Sequence, residues 1–560
     1  MRKTDGSQSM KHFFNRREDI VTDALDGLLL TSGPGRLARL DTFPEIKVIL
    51  RADWDHSKVA IISGGGAGHE PSHAGFVGKG MLTAAVSGEI FASPSVDAVL
   101  TAIRAVTGPR GALLIVKNYT GDRLNFGLAA ERARAEGFDV EMVIVADDIA
   151  IPDIIQPRGV AGTLFVHKIA GYYAEIGTDL KTVAARAASA ATDTVSLGMS
   201  LSTCSVPGQL HEDRLGANEG ELGLGIHGEP GVERIALQPV ADIVAAMTGR
   251  LAAKVDDSRS HALLINNLGA VPPLEMGLIA NTVLSCPLAR RVKLIVGPAP
   301  MMTALNMNGF SLSLIPLDDA REVALKAPVD PHAWVPAVEH RGINVIAGPQ
   351  SGAVADKTAA ASDDGHSRRL ITALCEHLIS LESELNRLDG RLGDGDTGST
   401  VATGARSVLA RIDTLPLKEP AATLASIGDI LSMSMGGSSG VLLSIFFTAA
   451  AKAMADKADI AAALLAGLDR MTFYGGAGIG DRTMVDALAP ALAALTSGNL
   501  AAAAKAAVAG AESTKSMKKA KAGRASYVGE EDLKGVPDPG AVAVAGAFEV
   551  AAAIAATAMA

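Results

Sequence analysis

Aromatic residues and cysteines are scarce in this chain of 560 residues, and each shortage excludes a class of protein. Phe, Trp and Tyr together make up 4% of the residues, and no block of Lys and Arg is interleaved with them. A nucleic-acid partner is therefore not expected, and the net charge of −10 argues against binding to an anionic membrane. The three cysteines, Cys204, Cys286 and Cys375, lie far apart without a C-x-x-C spacing, which argues against a disulfide framework or a zinc site and suits a cytoplasmic location.

A long apolar run is also missing. The most apolar stretch, Val441 to Ala451, is far shorter than the roughly 20 residues that a membrane span needs, and Lys452 ends it. We therefore expect a core helix there and no membrane partner. Residues 1–19 contain no apolar run, so they do not form a secretory signal, and either Met1 or Met10 is the start of the protein.

The first part of the chain alternates short apolar runs with alanine-rich amphipathic stretches. This alternation predicts buried strands and helices in α/β layers, with ligand-binding loops at the strand ends. The predicted strands are VAIIS before Gly64, ALLIVKN before Tyr119, MVIVA before Asp147, ALLINN before Leu268 and VKLIVG before Pro298; the predicted helices include Phe126 to Glu136 and Ala241 to Ala253.

The pattern changes around residues 328–364, where Pro, Ala, Ser and Asp are frequent and no clear period is present. Beyond this segment, leucines that recur every three or four residues predict a helix with one apolar stripe, and further Ala/Leu-rich helices follow. The second domain is therefore expected to be all-α. We place the domains at 10–345 and 365–560, joined by a linker at 346–364. The striped leucines are Leu370, Leu374, Leu378, Leu381, Leu385 and Leu388.

A glycine-rich segment, SGGGAGHEPSHAG, follows the first predicted strand and contains His69 and His73. It is not a Walker A loop, because no Lys-Ser/Thr pair follows Gly68. Glycines allow backbone N–H groups to approach a small ligand closely, and the two imidazoles could face the same pocket. A purely structural turn would have the same pattern.

Two further loops contain residues with catalytic chemistry. VKNYTGDRLNFG places Lys117 and Asp122 after a strand; Asp122 could accept a hydroxyl proton, or it could cap a helix that begins near Leu124. GLGIHGEPG surrounds His227 with glycines. A neutral imidazole is a nucleophile toward a carbonyl group, although many loop histidines are simply exposed to solvent.

The predicted helical domain contains an acidic loop, LDGRLGDGDTGST, with Asp389, Asp394 and Asp396 within eight residues. Clustered carboxylates repel one another unless a cation joins them, and their hard oxygens favour Mg²⁺ or Ca²⁺ over zinc. An EF-hand does not fit, because Ala405 stands where the twelfth-position Glu would be. Since Mg²⁺ completes its shell with phosphate oxygens, a triphosphate is the expected companion, whereas a solvated acidic turn is the alternative.

Two more glycine-rich breaks precede predicted helices in the same domain. MGGSSGVLLSIFF begins an apolar helix near Gly436, and YGGAGIGDRTMVDAL begins another after Asp481, Arg482 and Thr483. Free N–H groups and the helix dipole favour a phosphate at such a helix start, although each could also be a simple cap.

These segments closely resemble, in order, those of the single-chain, ATP-dependent dihydroxyacetone kinases. The resemblance extends over nearly the whole chain and rests on SGGGAGHEP, VKNYTGDRLNFGLAAE, GIHGEPG, GDGDTGST, GGSSGVLLSIFFTAA, FYGGAGIGDRTM, KAGRASY and DPGA. It implies an N-terminal α/β ketone-binding region of two α/β subdomains, followed by an all-α helical barrel that binds Mg-ATP. It also implies phosphorylation of dihydroxyacetone or glyceraldehyde by a homodimer in which different chains contribute the ketone site and the ATP site.

The resemblance further implies roles for individual residues. His227 would attack the ketone and hold it as a covalent hemiaminal, with Asp122 as the base and His69 as its orienting partner. Gly66 and Lys117 would also contact the ketone. Asp389, Asp394 and Asp396 would bind two Mg²⁺ ions. The ATP-contacting positions would be Gly395, Asp396, Thr397, Gly398, Gly437, Ser438, Ser439, Gly480, Arg524, Asp538, Pro539 and Gly540, with Arg524 in a lid over the nucleotide.

Several alternatives stay open beside this resemblance. The acceptor could be a four-carbon ketose such as D- or L-erythrulose, and a side activity that cleaves FAD is not decided by the sequence. A phosphoenolpyruvate-driven relative would have its helical part on a separate subunit, and fusion of both domains in this chain argues against it. A non-catalytic ketone-binding regulator is the third alternative, and the intact group of three aspartates argues against that.

Overall fold

Two units make up the computed structural model of this chain, Met1–Val345 and Ile346–Ala560. The structure describes residues 12–152, 154–209, 214–348, 359–391, 393–520 and 533–559. The finer domain limits of 10–345, 346–364 and 365–560 stay a prediction, because much of the proposed linker lies outside the described residues. The question of Met1 or Met10 falls outside them as well.

The first unit is an α/β structure, as the alternating pattern predicts. Its strands are β1 (Leu37–Arg39), β2 (Lys47–Arg51), β3 (Ala60–Ala67), β4 (Ala84–Ile90), β5 (Ala112–Lys117), β6 (Val140–Val145), β7 (Val195–Ser200), β8 (Glu219–Leu222), β9 (Glu233–Ala236), β10 (His261–Asn267), β11 (Val292–Ala299), β12 (Gly309–Pro316) and β13 (Val338–Glu339). Its helices are α1 (Ile20–Thr31), α2 (Val96–Val106), α3 (Thr120–Ala135), α4 (Thr163–Glu175), α5 (Leu180–Asp193), α6 (Val240–Ala252), α7 (Pro273–Ser285) and α8 (Asp319–Lys326).

Two sheets divide this unit, as expected for two α/β subdomains. The first has the order β1-β2-β4-β3-β5-β6, in which β4, β3, β5 and β6 are parallel to one another, whereas the pairs β1·β2 and β2·β4 at one edge are antiparallel. The second has the order β13-β11-β10-β12-β7-β8-β9, in which only β10 and β11 pair in parallel among the described residues. The five predicted strands correspond to β3, β5, β6, β10 and β11 and are confirmed.

The parallel strands β3 and β5 position the polar loops. Both are fully buried, because apolar side chains on each face pack against helices. Adjacent parallel strands end at the same edge of a sheet, so the glycine-rich loop after β3 and the loop from Lys117 to Asp122 meet there. The loop after β8 brings His227 to the same place from the second sheet.

The described part of the second unit is helical. Its helices are α9 (Gly365–Ser380), α10 (Glu382–Asp389), α11 (Thr397–Leu409), α12 (Pro420–Ser434), α13 (Gly437–Ala455), α14 (Ile460–Gly475), α15 (Val485–Leu495), α16 (Leu500–Ser513) and α17 (Pro539–Met559). Apart from α10, each helix packs against the next of these around a ring, and α17 closes the ring against α9. This arrangement is the helical barrel implied by the resemblance.

The leucine stripe does not form one uninterrupted helix. The structure ends α9 at Ser380 and begins α10 at Glu382. The Ser380 hydroxyl donates to the carbonyl oxygen of His377 at 2.7 Å, which offers that carbonyl a partner outside the helical ladder. Leu385 and Leu388 of α10 are buried nevertheless, so the stripe predicts the buried face across the break.

Two helices of the barrel, Gly437–Ala455 and the Pro539–Thr557 part of α17, are long and apolar enough to cross a membrane by length and composition. Their apolar side chains line a cavity of about 1530 Å³ inside the ring instead. The lining includes Leu442, Phe446, Val544 and Phe548. The cavity explains why only 22% of each helix is buried although its composition is that of a core helix.

Candidate functional site

The first polar cluster lies where β3 and β5 end. Lys117 is the last residue of β5 and Asp122 lies in the first turn of α3, and both side chains are buried. A Cβ on Gly65 would lie 3.4 Å from Lys117 Nζ and 3.5 Å from Asp122 Oδ2, so a cation and an anion flank this stretch of backbone. Burial lowers the pKa of Lys117, and the neighbouring Asp122 carboxylate opposes that shift.

Asp122 is not the cap of a helix that begins at Leu124. Helix α3 begins two residues before Asp122, at Thr120, and the Asp122 side chain is 2% exposed. Among the described residues, neither its Oδ1 atom nor Lys117 Nζ has a hydrogen-bond partner. Buried polar groups without partners are costly, so this pair is suited to meeting the hydroxyl groups of a ligand.

His69 lies next to this pair and is fully buried. Its Nδ1 atom lies 2.8 Å from the carbonyl oxygen of Thr303. Because a carbonyl oxygen only accepts hydrogen bonds, Nδ1 carries the ring proton and Nε2 is left as an acceptor. Burial, Lys117 and His227 hold the pKa of His69 well below its usual value, so the ring is neutral. His69 Nε2 has no partner among the described residues.

Three rings surround His227. Its ring centroid lies 4.2 Å from that of Tyr119, 4.8 Å from that of His69 and 5.4 Å from that of Phe91. The His227 side chain is only 16% exposed, so His227 is not simply a solvent-exposed loop histidine. The structure therefore brings His227 and His69 into contact, as the resemblance requires of a common ketone pocket.

Gly66 completes this side of the pocket for a steric reason. A Cβ at Gly66 would lie 2.7 Å from the backbone nitrogen of Ala92 and 2.8 Å from Cα of Phe91. Only glycine permits that close approach of two backbones. Phe91 itself has φ 56°, the left-handed region that disfavours a bulky residue, and this conformation places its ring against both His69 and His227.

The acidic loop of the second unit brings its three aspartates together. One carboxylate oxygen from each of Asp389, Asp394 and Asp396 lies within 4.8 Å of the others. Asp389 Oδ2 accepts hydrogen bonds from the backbone N–H groups of Asp396 at 3.0 Å and Thr397 at 3.1 Å. Gly395 has φ 77°, which bends the loop back on itself. Three converging carboxylates fit the hard-oxygen ligand set of Mg²⁺.

Most of the predicted ATP-contacting residues line the cavity beside these aspartates. The lining includes Asp396, Thr397, Gly437, Ser438, Ser439, Asp538, Pro539 and Gly540. Gly395, Gly398 and Gly480 are not part of the lining. Gly398 has a packing role instead, because a Cβ there would lie 2.1 Å from the carbonyl oxygen of Glu382. Arg524 and its predicted lid lie outside the described residues.

Arg482 lines the same cavity, and no role was predicted for it. Its side chain is 1% exposed, its φ is 60°, and its Nη2 atom donates to the carbonyl oxygen of Val536 at 2.6 Å. Its Nε and Nη1 atoms have no partner among the described residues. The sequence signal was a cation directly after a glycine-rich turn, but only the fold shows that this cation is buried.

The comparisons with known proteins agree with this architecture. The Dak1 domain matches residues 36–333 and the DAK2 domain matches residues 391–553. The dihydroxyacetone kinase of Citrobacter freundii is 50% identical over 546 residues, covering 96% of this chain and 98% of that protein. The putative 3,4-dihydroxy-2-butanone kinase of Solanum lycopersicum is 45% identical, covering 97% of this chain and 98% of that protein.

A solved structure extends the similarity to the fold. The crystal structure of the C. freundii dihydroxyacetone kinase in complex with AMP-PNP and Mg²⁺ matches with a TM-score of 0.75 and 47% identity, covering 98% of this chain and 100% of that one. An α/β unit and a helical unit with this similarity define a two-domain kinase. The chain belongs to the dihydroxyacetone kinase family.

Proposed function

We propose that this enzyme transfers the γ-phosphoryl group of ATP to a hydroxyl group of dihydroxyacetone, and also of glyceraldehyde, after His227 has captured the carbonyl carbon as a covalent hemiaminal. The observation that carries the proposal is the contact of His227 with the fully buried His69, beside the buried pair Lys117 and Asp122. The name of the C. freundii relative supports the choice of ketone.

The contacts support a division of work in the ketone pocket. A neutral imidazole can attack a carbonyl group, and the rings around His227 exclude water from it. Asp122 is the proposed base for the hydroxyl group that receives the phosphoryl group, since its Oδ1 atom has no protein partner among the described residues. His69 is the proposed orienting partner of Asp122, while Lys117 and the Gly66 backbone contact the substrate.

The second unit would bind the nucleotide. Asp389, Asp394 and Asp396 would hold two Mg²⁺ ions, which neutralise charge on the phosphate groups when bound. Backbone N–H groups of Gly437, Ser438 and Ser439 begin α13 and favour phosphate oxygens through the helix dipole. The remaining proposed contacts are those of Thr397 and the segment Asp538–Gly540. Arg524 as a lid residue, and Gly395, Gly398 and Gly480 as direct contacts, stay predictions.

The test of this function is ADP release by purified enzyme with Mg-ATP, comparing kcat/KM for dihydroxyacetone, glyceraldehyde, D- and L-erythrulose and glycerol. We expect dihydroxyacetone to be phosphorylated with the highest kcat/KM. Glycerol has no carbonyl group to be captured, so it should be the poorest of the five acceptors. If glycerol equalled the ketones, covalent capture would not be needed for the reaction.

A four-carbon acceptor is the second candidate. The relative in Solanum lycopersicum carries the name of a four-carbon ketone kinase, which is the observation that favours it. The same residues would act in the same roles, so only the acceptor comparison separates the two. A higher kcat/KM for either erythrulose than for dihydroxyacetone would establish the four-carbon alternative.

We also propose a cytoplasmic homodimer in which the ketone site of one chain works with the ATP site of the other. The family resemblance supports the dimer. The three cysteines, all of them free, suit a reducing compartment.

Replacing Asp122 with asparagine tests the proposed base. The amide keeps the size of the side chain but cannot take a proton, so turnover should fall by roughly a hundredfold or more. Capture of the ketone should persist, because His227 is unchanged. The measurement is kcat with dihydroxyacetone beside the amount of covalent adduct. Near-normal turnover in D122N would show that Asp122 has no part in proton transfer.

A further inference from the structure

We propose that Glu229 is the positioning residue that makes His227 a nucleophile, by holding the imidazole with its proton on Nδ1 and by stabilising the positive charge of the ring when the hemiaminal forms. This inference rests on the proposed covalent capture. Neutral imidazole carries one proton, and either ring nitrogen can hold it. Only a ring whose Nε2 atom lacks the proton can attack a carbon atom from Nε2.

The contacts of Glu229 select one of these two forms. Its Oε1 atom lies 3.4 Å from His227 Nδ1, and its Oε2 atom accepts the backbone N–H of His227 at 2.9 Å. Burial raises the pKa of Glu229, but hydrogen bonds from His227, together with the positive charge of that ring when it is protonated, lower the pKa to about 2. An ionised carboxylate can only accept, so the ring nitrogen facing it carries the proton. Nε2 is then left with its lone pair.

The glycine-rich loop around His227 fixes the position of the Glu229 carboxylate. A Cβ on Gly225 would lie 2.2 Å from Glu229 Oε2 and 3.0 Å from Arg158 Nη1, so glycine is needed for the carboxylate to fit. Arg214 donates to the carbonyl oxygens of Gly228 at 2.9 Å and of Glu229 at 3.3 Å. The backbone that follows the histidine is therefore held by a partner outside the loop.

Two arginines and two further carboxylates complete this support. Arg158 donates to the carbonyl oxygen of Gly223 at 2.7 Å and is paired with Asp148, which is buried. Arg214 is paired with Glu221, which is 1% exposed. Each arginine therefore has its own counter-ion beside the loop that it holds. An ordinary exposed ion pair between residues two positions apart is not held in place by such contacts.

The proton balance of capture gives Glu229 its chemical role. The Nε2 lone pair forms the new bond to the carbonyl carbon, and the electron pair of the carbonyl π bond moves to the oxygen. That oxygen takes one proton from water. The ring, bonded to carbon at Nε2 and still protonated at Nδ1, is then cationic, and the Glu229 carboxylate stabilises this charge. The ring becomes neutral when Nδ1 gives up its proton to the hydroxide left by that water. The net change moves one proton from the ring to the oxygen.

The experiment follows the adduct directly by ¹³C NMR with dihydroxyacetone labelled at its carbonyl carbon, because that carbon changes from trigonal to tetrahedral on capture. Full-length unmodified enzyme is compared with E229A, E229Q and E229D. We expect the apparent affinity for adduct formation to fall by about tenfold or more in E229A and E229Q. E229D restores a carboxylate and should recover part of the loss. The Mg-ATP dissociation constant should not change.

Glu233 provides the matched control, since it lies on β9, pairs with Arg250 at the surface and is 49% exposed. E233Q removes one negative charge nearby and should form adduct normally. The glutamine side chain in E229Q can still accept the His227 backbone N–H, so this variant keeps the loop in place. A normal adduct in E229Q would therefore overturn the proposal. Equal losses in E229Q, E229D and E233Q would overturn it as well. Absence of an adduct in the unmodified enzyme would instead overturn covalent capture itself, and this inference with it.

Discussion

The variant H227A is expected to form no covalent adduct and to lose about a thousandfold or more in turnover with dihydroxyacetone. The neighbouring imidazole of His69 does not replace His227 as the nucleophile. The Nδ1–H group of His69 donates to the Thr303 carbonyl oxygen, which fixes the ring in its proposed place beside Asp122 and the hydroxyl group that is phosphorylated. Alanine removes the proposed nucleophile, while Asp122 and Lys117 stay in place.

Two measurements separate capture from general damage to the pocket. The adduct is read by ¹³C NMR or mass spectrometry, and kcat/KM is compared for dihydroxyacetone and glycerol. If His227 acts by capture, the ketone loses its advantage in H227A and the two acceptors become similar, because neither can be held covalently. A purely structural role would lower both values in proportion and keep their ratio.

His332 offers a control on the same unit. It is exposed and contacts Arg36 at 3.2 Å, so H332A removes an imidazole without touching the pocket. Adduct and turnover should both be unchanged in this variant. An adduct that persisted in H227A would show that another residue captures the ketone.

The fold of the first unit could be predicted well from local patterns. Each predicted strand corresponds to a strand of the structure, because continuous apolar runs between glycine or asparagine breaks are specific for buried strands. The order of the strands could not be predicted in this way. The contact of His227 with His69 depends on the second sheet reaching the edge of the first, which no local pattern records.

The site could be predicted by motif, but its electrostatics could not. The sequence showed a histidine in the loop after β3, but the position of its proton follows from Thr303, which lies 234 residues further along the chain. The prediction that Asp122 might cap a helix was wrong, because α3 begins at Thr120 with Tyr119 at its N-cap, which places Asp122 inside the first turn. Arg482 was visible in the sequence as a cation, whereas its burial depends on how Val536 packs.

The variant D394A is expected to weaken Mg-ATP binding by about a hundredfold or more while ketone capture is unaffected. Asp394 is one of three carboxylates within 4.8 Å of one another, and two carboxylates hold Mg²⁺ less well than three. Binding of Mg-ATP is measured by calorimetry, and the adduct by NMR. D413A, which removes an exposed aspartate paired with Arg368 in the same unit, should leave both unchanged. Loss of the adduct together with ATP binding in D394A would indicate misfolding instead.

Mixing H227A with D394A extends this prediction to the proposed dimer. Each variant alone lacks one half of the reaction, so each should be nearly inactive. If the ketone site of one chain works with the ATP site of its partner, a mixed dimer contains one pair of intact sites, and activity should return after the subunits exchange. If both sites of one chain work together, every pair in the mixed dimer has one defective site, and no activity returns. Recovery toward about a quarter of the unmodified rate is expected for the first arrangement, because random exchange makes half of the dimers mixed and each has one working pair.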